Sequence, residues 1–461
     1  MPSNLPSDQG RVGKYDGGAS PKVACDRVPP HTVDTPDYAA IMVDPQSPTL
    51  LKGVIVKHHT GKPDIRMDSS GEHIYSFDLS RAIAALAVVV LYWSELAAPG
   101  CAPPFEQALG FLYRFGALAV PMFFVLSGFV FDWLYAKPVA SKRISAKTFF
   151  VLRFSRLYPL FFVTFVVVAL EFLFARKWIG YGFAGLYADG YHALLTLGMM
   201  TGWGLEKSFS FNGPSWTVST EVFLYGAFFL VSRRFGINTL TITAMIVAGF
   251  VMMPVSVHLA GGLVQFFAGV VAHRLFLRWS FHRNGTWIVI AALVALCLTW
   301  LYGHEYHTRE GLEFLRTRLP YVAKLDIRYQ IFRDLLFPAL LFPLVVFIQA
   351  ALEKKLQIAS VLRHPFVLWS GNMSYSLYLW HYPLMIGLVI GATYAGASPL
   401  LFYSPAVFVA FGAILVLLSH ASYYHFERPM LRIIRDRLLR GAPEILPISR
   451  PVAASPETTI R

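Results

Sequence analysis

Uninterrupted apolar blocks of about 18–25 residues recur along this chain, and that is the length a helix needs to cross a hydrocarbon core of roughly 30 Å. Ten follow Asp78, at 79–97, 110–135, 149–174, 216–232, 239–257, 260–277, 286–302, 332–350, 373–391 and 404–424. They predict an all-α, polytopic integral membrane helical bundle of about ten transmembrane helices. Composition agrees: 55% of the 461 residues are hydrophobic and only 15% charged, against about a quarter charged in soluble domains. A further apolar patch near 190–202 is too short to span and reads as interfacial or re-entrant.

The formal net charge is +13. In a soluble chain that excess would raise nucleic acid as a partner; here most of the Lys and Arg sits at block ends, so no nucleic-acid partner is expected. With a cytoplasmic N-terminus, the inner connections hold Lys137, Lys142, Arg143 and Lys147; Arg233 and Arg234; Arg274, Arg278 and Arg283; then Lys354, Lys355 and Arg363. The tail adds Arg428, Arg432, Arg435, Arg437 and Arg440, whereas 98–109 and 392–403 hold no Lys or Arg. The longer outer connections, 175–215 and 303–331, are exceptions; in the second, basic residues alternate with acidic ones. Positive residues stay inside, so both termini are placed in the cytoplasm. Three divisions follow: 1–75 as a disordered cytosolic extension rich in Pro, Gly, Ser and Asp, 76–430 as the membrane domain, and 431–461 as a basic cytosolic tail. The N-terminus has no apolar stretch of signal-peptide type. Cys25, Cys101 and Cys297 lack metal or redox spacing, so no metal is expected.

Ionisable and polar groups inside the blocks are costly and mark candidate function, although any one of them can equally satisfy a neighbouring helix. In the first block, Arg81 and Tyr92 are eleven residues apart, close to three helical turns and about 16 Å on one face; Glu95 extends the same stripe, and Asp78 precedes it. Arg153 and Arg156, three apart at an inner boundary, share a helix face and suit bidentate contacts to phosphate, with membrane anchoring as the plainer role. In the fourth block Gly213-Pro214 breaks the chain before Trp216 and Ser219, and Thr217, Glu221 and Tyr225 align at four-residue spacing. A carboxylate more than a turn inside demands a partner or a proton, the condition of a general acid or base. The ninth block carries Ser374, Tyr378 and His381 on one stripe, with Pro383 freeing a backbone carbonyl just beyond.

These segments together resemble the membrane-bound acyltransferase 3 family, which acylates sugars of O-antigens, exopolysaccharides and lipid-linked glycans and some antibiotics. The resemblance is carried by FDLSRAIAAL, VPMFFVLSGFVF, RFSRLYPLF, NGPSWTVSTEVFLY, SYSLYLWHYPL and YYHFERP, in the family's order over about residues 76–430. It implies transfer of an acyl group, acetyl above all, from acyl-CoA bound near Arg153 and Arg156. The acceptor would be a hydroxyl of a carbohydrate or lipid-linked glycan, in a bacterial inner membrane whose lipid is the other partner. Glu221, His381, Tyr92 and Arg81 are then the candidate catalytic residues, supported by Asp78, Trp216, Ser219, Ser374 and Tyr378. One position departs. The family's first-helix His, taken as catalytic base, falls on Tyr92, and a phenol that ionises near about pH 10 is a poor base at neutrality. Either proton transfer passes to Glu221 or His381, or the chain is a degenerate member. A transporter or flippase of a lipid-linked glycan, lined by Arg81, Tyr92 and Glu95, is the alternative from another class.

Overall fold

The computed structural model describes residues 73–96, 102–180, 187–280, 285–307 and 331–439. All but the end of the 1–75 extension, most of the 303–331 connection and the end of the tail lie outside the described residues. Among the described residues there are helices and turns but no strand. The helices are α1 (Tyr75–Ser94), α2 (Glu106–Phe115), α3 (Ala119–Ala140), α4 (Ala146–Phe174), α5 (Gly190–Leu197), α6 (Trp216–Phe235), α7 (Thr239–Met252), α8 (Val257–Ser280) and α9 (Gly285–His307). Beyond 308–330 come α10 (Phe337–Leu356), the single turn α11 (Ala359–Leu362), α12 (Pro365–Tyr394), α13 (Pro405–Ala421) and α14 (Arg428–Leu438), the last two joined by a wide turn over Ser422–Glu427.

Each of the ten apolar blocks is helical over most of its described length. Seven helical stretches among the described residues are both long and apolar enough to cross a membrane: those built on α1, α2–α3, α4, α8, α9, α10 and α13–α14. Helix α7 is apolar but only 14 residues long. Helices α6 and α12 have the length, at 20 and 30 residues, but carry too many polar side chains. Several of those side chains reappear at the site below. The 190–202 patch forms α5, eight residues long, well short of a span.

Small residues set how closely the helices approach, as expected where lipid supplies no hydrophobic drive between them. Helices α3 and α8 meet backbone to backbone: a Cβ on Gly128 would stand 1.8 Å from the Phe266 carbonyl oxygen, and one on Gly269 would stand 2.0 Å from that of Val125. Gly371 of α12 meets Asp78 of α1 in the same way, at 2.4 Å from its Cβ. Large aromatic side chains fill the remaining core, with Phe131, Phe149, Phe228 and Phe266 buried among α3, α4, α6 and α8.

The basic turns are tied into the bundle by hydrogen bonds. Arg233 at the end of α6 donates to the carbonyls of Val139 and Ile144, 3.2 and 3.5 Å away, in the α3–α4 turn. Asp132 of α3, buried and without an assigned role in the sequence motifs, takes His273 Nδ1 and Arg274 of α8, each at 2.6 Å. Buried Glu353 of α10 accepts the backbone N–H groups of Tyr75 and Ser76, both at 2.9 Å. These are among the four donors a helix start leaves without intrahelical partners. The end of α10 thus caps the start of α1 and fixes its height in the bundle.

Gly269→Ala is expected to reduce the yield of monodisperse, detergent-extracted protein sharply and to lower its Tm. Gly412→Ala on α13, where an added Cβ meets nothing within 4 Å, should be neutral or stabilising by up to about 1 kcal/mol. Fluorescence-detected gel filtration and thermal shift compare the two; equal behaviour would contradict the close α3–α8 packing.

Candidate active site

Six residues into α1, about 9 Å from its start, Arg81 reaches a cavity between α1, α3, α4, α6 and α12. Its guanidinium is steered by Asp78 one turn earlier, 3.2 Å away, and Asp78 is itself held by His73 Nε2 at 2.5 Å. Arg153 and Arg156 enter the cavity from α4. The Arg153 guanidinium lies 4.6 Å from the Phe131 ring centre and 4.4 Å from that of Tyr135, so aromatic faces supply part of the attraction that water would give. Its buried Nε has no hydrogen-bond partner among the described residues. Such a cation is set up for an anion.

Glu221 projects from α6 into the same space. Ser127 Oγ of α3 donates to its carboxylate at 3.0 Å, and the Tyr225 hydroxyl one turn on donates to the same oxygen. Tyr225 in turn stacks on Phe131 at 4.4 Å, which fixes the carboxylate by packing as well as by hydrogen bonds. The four-residue spacing of Glu221 and Tyr225 is what lets them meet on one helix face. Helix α12 closes the cavity with Ser374, Tyr375 and Tyr378. The Tyr375 hydroxyl donates to the Leu157 carbonyl at 2.6 Å; that of Tyr378 donates to the Pro214 carbonyl at 3.0 Å and lies 2.9 Å from Thr217 Oγ1. The cavity volume is about 140 Å³, room for about ten water-sized groups. An acyl group and a hydroxyl fit within that space.

His381 lies behind Tyr378, outside the cavity lining, and is buried. Its Nδ1 stands 2.5 Å from the Tyr378 carbonyl oxygen. A carbonyl can only accept, so Nδ1 carries the proton and Nε2 of the neutral ring carries the lone pair. That Nε2 is buried with no partner among the described residues. Tyr92 meets the imidazole edge-on at 5.1 Å between ring centres, and the same phenol packs against Tyr382 at 5.8 Å. The Tyr92 ring, at the position where the resemblance implies a His, therefore touches an imidazole from α12.

The bend at Pro383 has a specific partner. Proline has no N–H, which leaves the carbonyl four residues back, Leu379, without its helical donor. Asn212 Nδ2 donates to that carbonyl at 3.2 Å. The NGPSW turn is thereby fastened to α12 at the level of Tyr378 and His381.

Among the sequence-selected residues, Arg81, Arg153, Arg156, Glu221, Ser374 and Tyr378 come together around the cavity, and Tyr92 and His381 form a second group next to it. Asp78 acts through Arg81. Ser374 lines the wall while donating to the Gly371 carbonyl at 2.7 Å. Trp216 instead stacks on His258 at 3.9 Å, and Ser219 turns away to Thr201 Oγ1 at 2.8 Å; neither lines the cavity. Glu95 is exposed just past the end of α1, so the polar stripe of Arg81, Tyr92 and Glu95 does not line one continuous path. Ser127, Tyr375 and Asn212 take roles here that the sequence does not assign them. Ser127 alone carries a visible signal, as a single hydroxyl in the middle of the second apolar block.

Residues 74–420 match the acyltransferase 3 family, whose description is an acyltransferase domain. The chain belongs to that family. Over 126 residues it is 34% identical to the acyltransferase MdmB of Streptomyces mycarofaciens, a stretch that covers 26% of this chain and 30% of that protein. The matched stretch thus spans less than a third of the length of this curated relative. No solved structure matches.

Replacing Asn212 by Leu leaves the Leu379 carbonyl buried and unpaired, at a cost of about 1–3 kcal/mol. A lower Tm is expected for Asn212→Leu, together with lost activity; a Tm equal to wild type would show that the Pro383 bend does not need this side chain.

Proposed function

We propose that this protein is a membrane O-acyltransferase that moves an acyl group, acetyl being the smallest candidate, from acyl-CoA to a hydroxyl of a carbohydrate or lipid-linked glycan. The observation that carries this is the convergence of Arg81, Arg153 and Arg156 on one cavity of acyl size, with a lone-pair imidazole nitrogen one ring away. The phosphates of the donor stay at the basic end beside the arginines, and the acyl thioester reaches inward. The basic turns lie on the cytoplasmic side of a bacterial inner membrane, with both termini inside; the outer end of the bundle then admits the acceptor.

In this reading the acceptor reaches past Tyr378 to His381, which lies outside the cavity lining, and Nε2 takes the proton of the acceptor hydroxyl as the oxygen bonds to the acyl carbon. The carbon–sulfur bond breaks, the electron pair leaves on sulfur, and His381 returns the proton to the thiolate. Tyr378 and Tyr92, packed on either side of the imidazole, orient it and keep water away. Glu221, tied to Ser127 and Tyr225, balances the charge of Arg81 and sets the height at which the cations stand. Tyr92 replaces the family's base in space only; its phenol serves as a packing and hydrogen-bonding partner. Arginines suited to phosphate, an oriented imidazole and a cavity of acyl size are what the reaction needs, and they support an active enzyme over a degenerate member or a flippase.

Transfer of labelled acetyl from acetyl-CoA to host glycans by the purified protein tests this. His381→Ala is expected to lower kcat by about 10²–10⁴-fold with donor KM within about twofold. Arg153→Ala and Arg156→Ala should raise donor KM instead. Glu221→Gln should cost less in kcat than His381→Ala; the opposite order would hand the base role to Glu221. Absence of transfer by both wild type and Tyr92→His would overturn the enzyme reading.

A further inference from the structure

Helix α14 lies beyond the residues that match the family, and it places one more cation beside the arginine cluster. Its start is fixed: Glu427 Oε1 accepts from Ser376 Oγ of α12 at 2.5 Å and from Ser422 Oγ at 3.1 Å, so the wide turn before α14 is clamped to the bundle. From there α14 packs along α4, the helix that carries Arg153 and Arg156. Arg428, Leu431 and Arg435 share one face of it by their spacing of three and four. Arg428 lies over the Tyr424 ring at 5.5 Å. Two turns later Arg435 is partly buried, and its Nε makes no hydrogen bond among the described residues.

What surrounds Arg435 is unusual. Tyr135, Arg153 and Arg156 are the groups whose charge bears on it, and its helix packs against the α4 that carries both arginines. Tyr135 is the same ring that faces the Arg153 guanidinium at 4.4 Å. Arg81 has Asp78 and Glu221 for company, and Arg156 has Glu427; Arg435 and Arg153 have aromatic rings. Arg153 and Arg435, both partly buried, are like charges that repel, and the two orphaned Nε atoms add to that cost. A bound polyanion relieves both. Arg153 and Arg156 line the cavity and Arg435 does not, so Arg435 meets the part of the ligand that remains outside.

Resting on the acyl-CoA reading above, we propose that Arg435 is a donor-recognition residue that binds a phosphate of the CoA nucleotide at the mouth of the cavity. The C-terminal helix then forms one wall of the donor site, beside the arginine pair of α4. A CoA nucleotide carries phosphate at two places, the pyrophosphate and the 3′-phosphate, and either offers the bidentate geometry a guanidinium prefers.

Equilibrium binding of CoA and of 3′-dephospho-CoA to the purified full-length protein in nanodiscs tests the proposal. Arg435→Ala should weaken CoA binding about tenfold or more. Arg435→Lys should recover part of it, since charge survives and the fork does not. Arg437→Ala, on the exposed side of α14, should bind as wild type. If the loss in Arg435→Ala vanishes with dephospho-CoA, the contact is to the 3′-phosphate; if it persists, to the pyrophosphate. Either result supports the proposal. Wild-type affinity in Arg435→Ala alongside weakened binding in Arg153→Ala would overturn it and leave the acyl-CoA reading standing. Equal losses in Arg435→Ala and Arg437→Ala would reduce it to general surface charge. No CoA binding by wild type would remove both. Should Arg435→Ala not elute as monodisperse protein, Arg435→Gln takes its place with the same outcomes.

Discussion

The cost of holding charge inside a bundle surrounded by lipid governs this structure. A lone Arg or Asp at the centre of a membrane helix costs about 3 kcal/mol even by the mildest scale, and several buried ions here are compensated in a particular way. Asp132 is met by His273 and Arg274, and Glu353 by two backbone N–H groups. Asp78 is met by Arg81 and His73. Arg153 of the cavity differs, since its buried Nε has no partner among the described residues. Arg153 rests on aromatic faces that weaken the penalty without cancelling the charge. The compensated ions tie neighbouring helices together, and Arg153 is left with charge that aromatic faces only partly offset.

Register matters because the site is assembled from a few residues on each of five helices. Arg81 stands at its height because Glu353 caps α1 and Gly371 lets α12 approach Asp78. Glu221 is held by Ser127 of α3, next to Gly128 where α3 touches α8. His381 is set by Pro383 and by the Asn212 amide that answers the freed carbonyl. Backbone satisfaction, close packing and placement of side chains are here one problem, since the lipid core offers no water to absorb an error in any of them.

Several of these arrangements are legible in order along the chain. The spacing of Thr217, Glu221 and Tyr225 announces a shared helix face, and the Glu221–Tyr225 hydrogen bond uses it. The pair Arg153 and Arg156 announces two cations at one level, and both line the cavity. The stripe of Arg81, Tyr92 and Glu95 announces a common face as well, but a common face on one helix does not choose a neighbour. Arg81 meets the cavity, Tyr92 meets His381 and Tyr382, and Glu95 meets the exposed end. Trp216 and Ser219 enter the candidate set through the NGPSWTVSTEVFLY segment that carries the resemblance, although about 100° of helical rotation per residue separates their directions from that of Glu221.

Block length and apolarity answer to bilayer thickness alone, so the order of residues is enough to make this chain a multi-pass helical membrane protein. Its motifs are enough to mark it as an acyltransferase family member, and to show that Tyr92 stands where the family's first-helix His is expected. What lies beside that position is settled by packing. His381 of α12 is far along the chain from Tyr92, beyond the reach of any local pattern, yet the two rings touch across the helix interface. Spacing along a chain reports the faces of single helices, while the pairing of those faces depends on how all of them pack together.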